Sequence, residues 1–320
     1  MQPFEWTAGQ RFSRHLLLAL VAVLVAVGTV LARRNLILGR GDRRGAFRLA
    51  AGLMVVGMLS WVLSAHHVAD AGRELGLVAR GAGLAIVISA VIWLFYLALE
   101  PYVRRMRPST LVSWTRLLNG GFGDAAVGRD VLLGATWGAA MSCFLSLCNR
   151  VPAWLGLPAE SPDLRMLFTL MGPRFVAATV LDFLVSATMF GLGALLLYVI
   201  LRFVLRRELP TVLAFVALLS AAVVAKGEPL WLAAVVGLTL IGSYAFVLLR
   251  WDLLAACAGI FTLYCLSGFP FATDFGGWQA APTLVVLPLL AALAVLAFRA
   301  ALGGSGLRRY LAREEGSSRP

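Results

Sequence analysis

Long apolar runs separated by short polar gaps limit the fold of this chain more than any other feature. A transmembrane helix needs about 20 apolar residues, and a chain in lipid must satisfy its backbone hydrogen bonds within each segment. We therefore predict an all-α polytopic membrane helix bundle with about nine transmembrane helices. The apolar runs cover residues 15–32, 46–65, 81–99, 131–148, 175–201, 210–225, 229–249, 253–269 and 282–301.

The basic residues are distributed unequally between alternate gaps. When successive gaps are assigned to opposite faces of the membrane, 20 of the 28 Lys and Arg fall on one face and 8 on the other. Short loops rich in Lys and Arg stay in the cytoplasm, which predicts an outside N-terminus and a cytoplasmic C-terminus in a bacterial cytoplasmic membrane. Run 210–225 is short, but without that crossing the basic C-terminal tail would lie outside.

Composition agrees with a lipid environment. Hydrophobic residues make up 60% and charged residues 14% of the chain, against about 45–50% and 25% in soluble proteins. A net charge of +12 can indicate nucleic-acid binding. Here the arginines flank apolar runs and form no single basic face, so membrane orientation and anionic lipid headgroups explain the charge and nucleic acid is excluded as a partner.

The gaps suggest one membrane domain and one tail. Residues 1–302 form the predicted transmembrane domain, with an interfacial cytoplasmic loop at 100–130 and an outer loop at 149–174. Residues 303–320 are polar and basic, which is typical of a flexible cytoplasmic tail.

Loop 100–130 contains an amphipathic segment. Leu111, Trp114, Leu117 and Leu118 share one helical face, with Ser109 or Thr110 as the cap and Gly120 at the end of the helix. Two interpretations stay open. The helix either lies in the headgroup layer with Trp114 at interfacial depth, or packs on the bundle as a cytoplasmic cap.

Asp182 is the strongest single candidate for a functional residue. It lies inside run 175–201, and an ionisable group at that depth usually faces the bundle interior or a watery cavity. We expect the carboxylate to pair with Arg174 or to retain its proton.

His66 and His67 lie at the outer end of the second run. Neighbouring helical side chains point about 100° apart, and no acidic or Cys partner stands at ligand spacing, so a metal site is not predicted. The pair forms either an interfacial cap or a pH-sensitive contact.

Four residues at the inner interface are candidates for chemistry on a lipid-linked substrate: Glu100, Arg116, Arg129 and Asp130. The structural alternative is that Glu100 pairs with a nearby arginine, and that Asp130, like Asp252, caps a helix N-terminus. Pro101 is expected to end the third helix. No kinase, serine-hydrolase or zinc-protease motif occurs, and no catalytic residue or cofactor is predicted. Gly134 and Gly138 favour close helix packing, either within the monomer or in a homo-oligomer.

Several segments resemble a known family. They read RRNLILGRGDRRGAFRLA at 33–50, AHHV at 65–68, YLALEPYVRR at 96–105, SWTRLL at 113–118 and VGRDVL at 127–132. The chain resembles the C-terminal multi-pass membrane region of certain bacterial serine/threonine protein kinases, most closely over residues 30–135. In that family a cytoplasmic kinase domain precedes the membrane region through one helix and an outer segment. Because no kinase domain is present in this sequence, the resemblance implies a membrane part that senses, anchors or couples, and not phosphotransfer.

Three functional hypotheses follow. The first is a non-catalytic membrane sensor or signalling domain, with membrane lipids and a cytoplasmic kinase or regulator as partners. The second is a transporter or channel with Asp182 in a polar path. The third is an intramembrane enzyme acting on a lipid-linked substrate.

Overall fold

The computed structural model describes residues 7–156, 164–227 and 229–303, and within these ranges the regular structure is helical throughout. The helices are α1 Ala8–Ile37, α2 Arg43–Ser64, α3 Ala71–Met106, α4 Val112–Leu118, α5 Ala125–Cys148, α6 Val151–Trp154, α7 Leu164–Thr169, α8 Pro173–Leu205, α9 Glu208–Val224, α10 Leu230–Arg250, α11 Leu253–Ser267 and α12 Ala281–Ala301. Single 3₁₀ turns precede α4 and α12, at Pro108–Leu111 and Trp278–Ala280. Each of the nine apolar runs forms one long helix, which confirms the predicted helical bundle.

Seven of the described helices are long and apolar enough to cross a membrane. They are α1, α2, α3, α5 continued through α6, α8, α10 and α12. The other two of the nine apolar runs form α9 and α11, which have 17 and 15 residues, or about 25 and 22 Å at 1.5 Å per residue. The total of nine crossings therefore stays a prediction.

Contacts at both ends of α9 fix the direction of this helix in the bundle. Asn35, close to the end of α1, donates to the carbonyl of Leu97 in the last third of α3, so both helices end on the same side of the bundle. At that end Glu208, the first residue of α9, pairs with Arg107. At the other end the hydroxyl of Ser13 donates to the carbonyl of Ala222 over 2.8 Å.

The two ends of the bundle differ in charge. We use the name "arginine end" for the end that holds connections 38–42, 206–207 and 251–252 and the α3–α5 segment 107–124. The "opposite end" holds connection 65–70, the described parts of 149–172, and connection 268–277. The predicted tail lies outside the described residues except for Gly303.

Proline 101 does not end α3, contrary to the sequence expectation, because the helix continues to Met106. A proline inside a helix leaves the carbonyl four residues earlier without its N–H donor. That carbonyl belongs to Leu97, and the buried amide of Asn35 donates to it over 2.9 Å. A side chain of α1 therefore supplies the hydrogen bond that Pro101 removes. Loop 100–130 consequently begins inside α3 and ends inside α5.

Helices α5 and α11 run in parallel and make the closest long contact in the described bundle. A methyl group at Gly134 would collide with the carbonyl of Ala255, and one at Gly138 with the carbonyl of Gly259. At Gly259 a methyl group would lie 2.6 Å from the indole of Trp137. The spacing of Gly134 and Gly138 therefore serves packing within the monomer.

Helix α8 forms the centre of the bundle. Its residues Gly191 to Val199 are all buried, and the helix packs against α2, α3, α9 and α11. The apolar core accordingly follows the half of α8 nearer the arginine end.

We expect Gly134→Ala to lower the free energy of unfolding by about 1–3 kcal/mol, because the added methyl group overpacks the contact with α11. The measurement is denaturant unfolding in detergent micelles. Gly242→Ala in α10 is the matched control. Open space surrounds that position, so helix propensity alone should raise stability by up to about 1 kcal/mol. Equal effects of the two changes would contradict the close α5–α11 contact.

Candidate functional site

A cavity of about 620 Å³ opens among α2, α7, α8 and α11 at the opposite end of the bundle. Its polar lining includes Ser60, Ser64, Thr179, Asp182 and Ser267, and its aromatic lining is Phe168, Phe183 and Tyr264. A volume of this size is typical of small-molecule sites. We name it the outer cavity, after the face on which the arginine distribution predicts it to lie.

Asp182 is exposed to this cavity. The expected partner, Arg174, instead places its guanidinium 4.4 Å from the ring centroid of Phe175. The pairing prediction is wrong because the two residues stand eight positions apart on one helix, or about 12 Å along its axis.

Among the described residues, Asp182 is the one carboxylate without a hydrogen bond or ion pair. Each of the others accepts a hydrogen bond or pairs with Arg or His. A lone carboxylate inside a membrane-spanning helix is costly unless water or a ligand reaches it.

The hydroxyl groups of Ser60, Thr179 and Ser267 already donate hydrogen bonds within the protein. Ser60 donates to the carbonyl of Ala178 over 2.8 Å, and Thr179 donates to that of Phe175 over 2.8 Å. Ser267 donates to the hydroxyl of Ser142 over 3.1 Å. Their oxygens retain lone pairs, so the polar lining offers acceptors in addition to one carboxylate.

The aromatic lining has the same electrostatic preference. Phe183 packs against Tyr264 with ring centroids 5.5 Å apart, and Phe168 packs edge-on against Phe175 at 4.6 Å. Aromatic faces attract cations. The cavity as a whole therefore favours a ligand that carries positive charge and N–H donors.

His66 and His67 lie beside the cavity and point to different partners. His67 contacts the Glu74 carboxylate through Nδ1 at 2.6 Å and the Val62 carbonyl through Nε2 at 3.0 Å. Because both ring nitrogens face acceptors, the protonated form is favoured, and the Glu74 hydrogen bond raises the pKa of His67. His66 packs against Phe175 at 5.9 Å. The described residues contain no cluster of three or more His, Cys, Asp or Glu that could hold a metal ion.

At the arginine end, Ser113 of α4 joins two buried carboxylates. Its hydroxyl donates to Asp130 of α5, and its backbone N–H donates to Asp252 over 2.9 Å. Asp130 also accepts from Arg129 at 2.9 Å. The sequence did not single out Ser113, because a serine on an amphipathic helix carries no signal of its own.

Asp252 caps α11 as predicted, accepting from the N–H of Leu254 over 3.1 Å. Burial raises the pKa of Asp252 to about 6. Asp130 does not cap α5, contrary to expectation. The helix starts at Ala125, so Asp124 takes the N-cap and accepts from Ala126 over 2.9 Å.

The four residues proposed for chemistry on a lipid-linked substrate are each engaged in a local ion pair. Glu100 accepts from the N–H of Asp42 over 3.1 Å and pairs with Arg104. Arg116 pairs with Asp124 at 2.8 Å, which lowers the pKa of Asp124. Arg129 and Asp130 form a third pair. Since these three pairs already engage all four groups, the arrangement gives the enzyme hypothesis no support.

Segment 107–124 packs on the bundle as a cap. Leu111 and Trp114 are each only 4% exposed, which agrees with the cap interpretation of α4 and not with Trp114 in the headgroup layer. The N-cap position of α4 is Leu111, the last residue of the 3₁₀ turn, and not Ser109 or Thr110 as expected. Arg48 of α2 donates to Asn119 over 2.9 Å, so the two predicted inner loops form one surface.

No known protein family, curated protein or solved structure matches this chain.

Asp252 predicts a pH dependence of stability. Because its pKa is about 6 in the folded chain and about 3.9 when unfolded, the folded state binds more protons between these values. Asp252 therefore contributes on the order of 2–3 kcal/mol to the free energy of unfolding. This contribution is fully present below about pH 4 and is lost as the pH rises through about 6. Thermal unfolding of the wild type and of Asp252→Asn from pH 4 to 7.5 measures the difference.

The wild type should lose stability relative to Asp252→Asn as the pH rises, and the two should run in parallel above about pH 7. Asp274→Asn, in an exposed loop at the opposite end, is the control and should follow the wild type. Parallel curves for the wild type and Asp252→Asn over the whole range would contradict the raised pKa.

Proposed function

We propose that this chain is a non-catalytic membrane sensor that binds a small organic cation in the outer cavity. The carrying observation is Asp182, a carboxylate in a membrane-spanning helix that lines a 620 Å³ cavity and lacks a partner among the described residues. Intramembrane ionisable residues are functional candidates by default. An amine or quaternary ammonium ion would neutralise the carboxylate, and an amine could also donate to the hydroxyl oxygens.

The proposed orientation places the outer cavity on the external face and the arginine end in the cytoplasm. It is supported by the excess of arginine in the gaps of that end. The resemblance to membrane regions of bacterial serine/threonine kinases supports a cytoplasmic kinase or regulator as the partner at that end.

Helix α11 offers a path from ligand to partner. Its last turns contribute Tyr264 and Ser267 to the outer cavity, and Asp252 at its start holds Ser113 of the cap. A ligand that favours one axial position of α11 relative to α5 would change how α4 packs on the bundle. Such coupling requires two arrangements with different affinities for the ligand.

A transporter is the second candidate, because Asp182 lies within a spanning helix and also opens to a cavity. Against an open path, α8 continues from the cavity into the fully buried segment Gly191 to Val199, where Tyr198 is the only polar side chain. The packing of α8 therefore favours a closed receptor cavity.

We expect some members of a panel of small amines and quaternary ammonium ions to raise the melting temperature of the purified protein in detergent. For these ligands, Asp182→Asn should weaken binding at least about tenfold, since it removes the charge of the cavity. Asp274→Asn removes a carboxylate at the same end outside the cavity and should leave binding unchanged.

Equal binding by the wild type and Asp182→Asn would show that the Asp182 carboxylate does not contribute to ligand binding. Uptake of the same amine into reconstituted vesicles, abolished by Asp182→Asn, would favour the transporter instead.

We expect affinity capture of the tagged full chain from mild detergent to recover a cytoplasmic kinase or regulator in near-stoichiometric amount. Ser113→Ala should reduce the recovery, because it removes the hydroxyl that seats α4 on Asp130. Thr115→Val is the matched control, since Thr115 bonds only to carbonyls of its own segment. Recovery of the chain without any protein partner would contradict the signalling role.

A further inference from the structure

A second cavity, of about 380 Å³, lies at the arginine end among the last turns of α1, α3 and α8. Three arginines line it, together with an apolar wall. We infer that this cavity binds the headgroup of an anionic phospholipid, with Arg34, Arg40 and Arg105 contacting the phosphate and Leu38, Met106 and Phe203 contacting the acyl chains.

The charge of the cavity is uncompensated. Four other arginines at this end, Arg104, Arg107, Arg116 and Arg129, pair with acidic side chains. The guanidinium groups of Arg34, Arg40 and Arg105 have no ion pair or hydrogen bond to any described residue, and no acidic side chain lines the cavity. Arginine forms strong charge-assisted hydrogen bonds with phosphate oxygens, so three free guanidinium groups around one cavity fit a phosphate ester.

Helix dipoles do not create this site. The cavity is formed at helix C-termini, which carry partial negative charge, and this charge opposes an anion. Attraction must therefore come from the arginine side chains. Their removal should abolish the preference for anionic lipid and not merely reduce it.

The apolar wall distinguishes a lipid from a free anion. Leu38, Met106 and Phe203 are 48%, 39% and 54% exposed in the isolated chain, and they adjoin the three arginines. Phe203 is held edge-on against Tyr102 with ring centroids 5.3 Å apart. Basic pockets between helices at a cytoplasmic membrane face suit anionic headgroups, and the exposed apolar side chains would cover the first part of the acyl chains.

Asn35 fixes the shape of the site. Its amide donates to the carbonyls of Leu97 and Ala98, at 2.9 and 3.3 Å, and thereby ties the end of α1 to α3 on either side of the cavity. The cavity is therefore held open by a buried bond that does not depend on the ligand.

The test is native mass spectrometry of the full chain in detergent, titrated with phosphatidylglycerol, with phosphatidylcholine or with inorganic phosphate. The wild type should retain phosphatidylglycerol and release phosphatidylcholine, and inorganic phosphate at matched concentration should not displace the lipid. Replacing Arg34, Arg40 and Arg105 together by Gln should lower the affinity for phosphatidylglycerol by roughly 100-fold, since each arginine near an anionic headgroup contributes about a fivefold factor.

The matched control replaces Arg33, Arg44 and Arg250 by Gln. These exposed arginines belong to the same end and lie outside the cavity, so the change in net charge is identical and the affinity should change less than about threefold. Equal losses in the two triple variants would assign lipid binding to the general surface charge and overturn the site. Displacement of the lipid by inorganic phosphate would make it an anion site.

Phe203→Ala provides an independent readout that leaves all charges in place. It should weaken phosphatidylglycerol binding and leave any binding of inorganic phosphate unchanged. Unchanged lipid affinity in Phe203→Ala would contradict the acyl-chain contact. Circular dichroism of every variant is the check that the helical bundle is intact.

Discussion

The close parallel contact between α5 and α11 is the constraint on which both polar sites depend. Gly134 and Gly138 of α5 allow the backbone of α11 to approach, and Gly259 of α11 allows the indole of Trp137 to approach. Because the helices are parallel and in register, this contact brings Asp252 to the arginine end of α5, where Asp130 lies, and brings Ser267 beside Ser142 at the opposite end. A side chain larger than hydrogen at Gly134 or Gly138 would therefore disturb the cap as well as the outer cavity.

Within the bundle, single hydroxyls and amides provide the polar contacts between helices. Ser13 donates to Ala222, Ser60 to Ala178 and Ser220 to Gly237, each to a carbonyl of a neighbouring helix. Such bonds average about 0.6 kcal/mol in membrane proteins, so they align helices more than they stabilise them. The bond from Asn35 to Leu97 has greater consequence because it replaces the donor that Pro101 lacks and permits α3 to continue to Met106.

Hydropathy predicted the nine long helices well because the apolar character of a run depends only on its own residues. Predictions that depended on a contact between particular residues were less successful. Asp130 was expected to cap α5, but the five residues before it are also helical and Asp124 takes that role. Arg174 was one of two expected ways to neutralise Asp182, the other being a retained proton, but its guanidinium lies over Phe175 instead.

The lining of the outer cavity could not be predicted from sequence, because Ser60, Tyr264 and Ser267 belong to helices far apart in the chain. None of these residues is unusual alone. Only tertiary packing shows that they surround the same carboxylate.

The acidic residues of this chain differ in how far their charge is compensated by neighbouring groups. Glu100, Asp130 and Asp252 are buried, and each accepts at least one hydrogen bond or ion pair that offsets part of its desolvation. Asp182 receives no such compensation from the described residues. A neutral side chain of similar size would stabilise a bundle whose only requirement was to fold. The presence of a lone carboxylate beside acceptor oxygens and aromatic faces is explained if the missing positive charge arrives with the ligand.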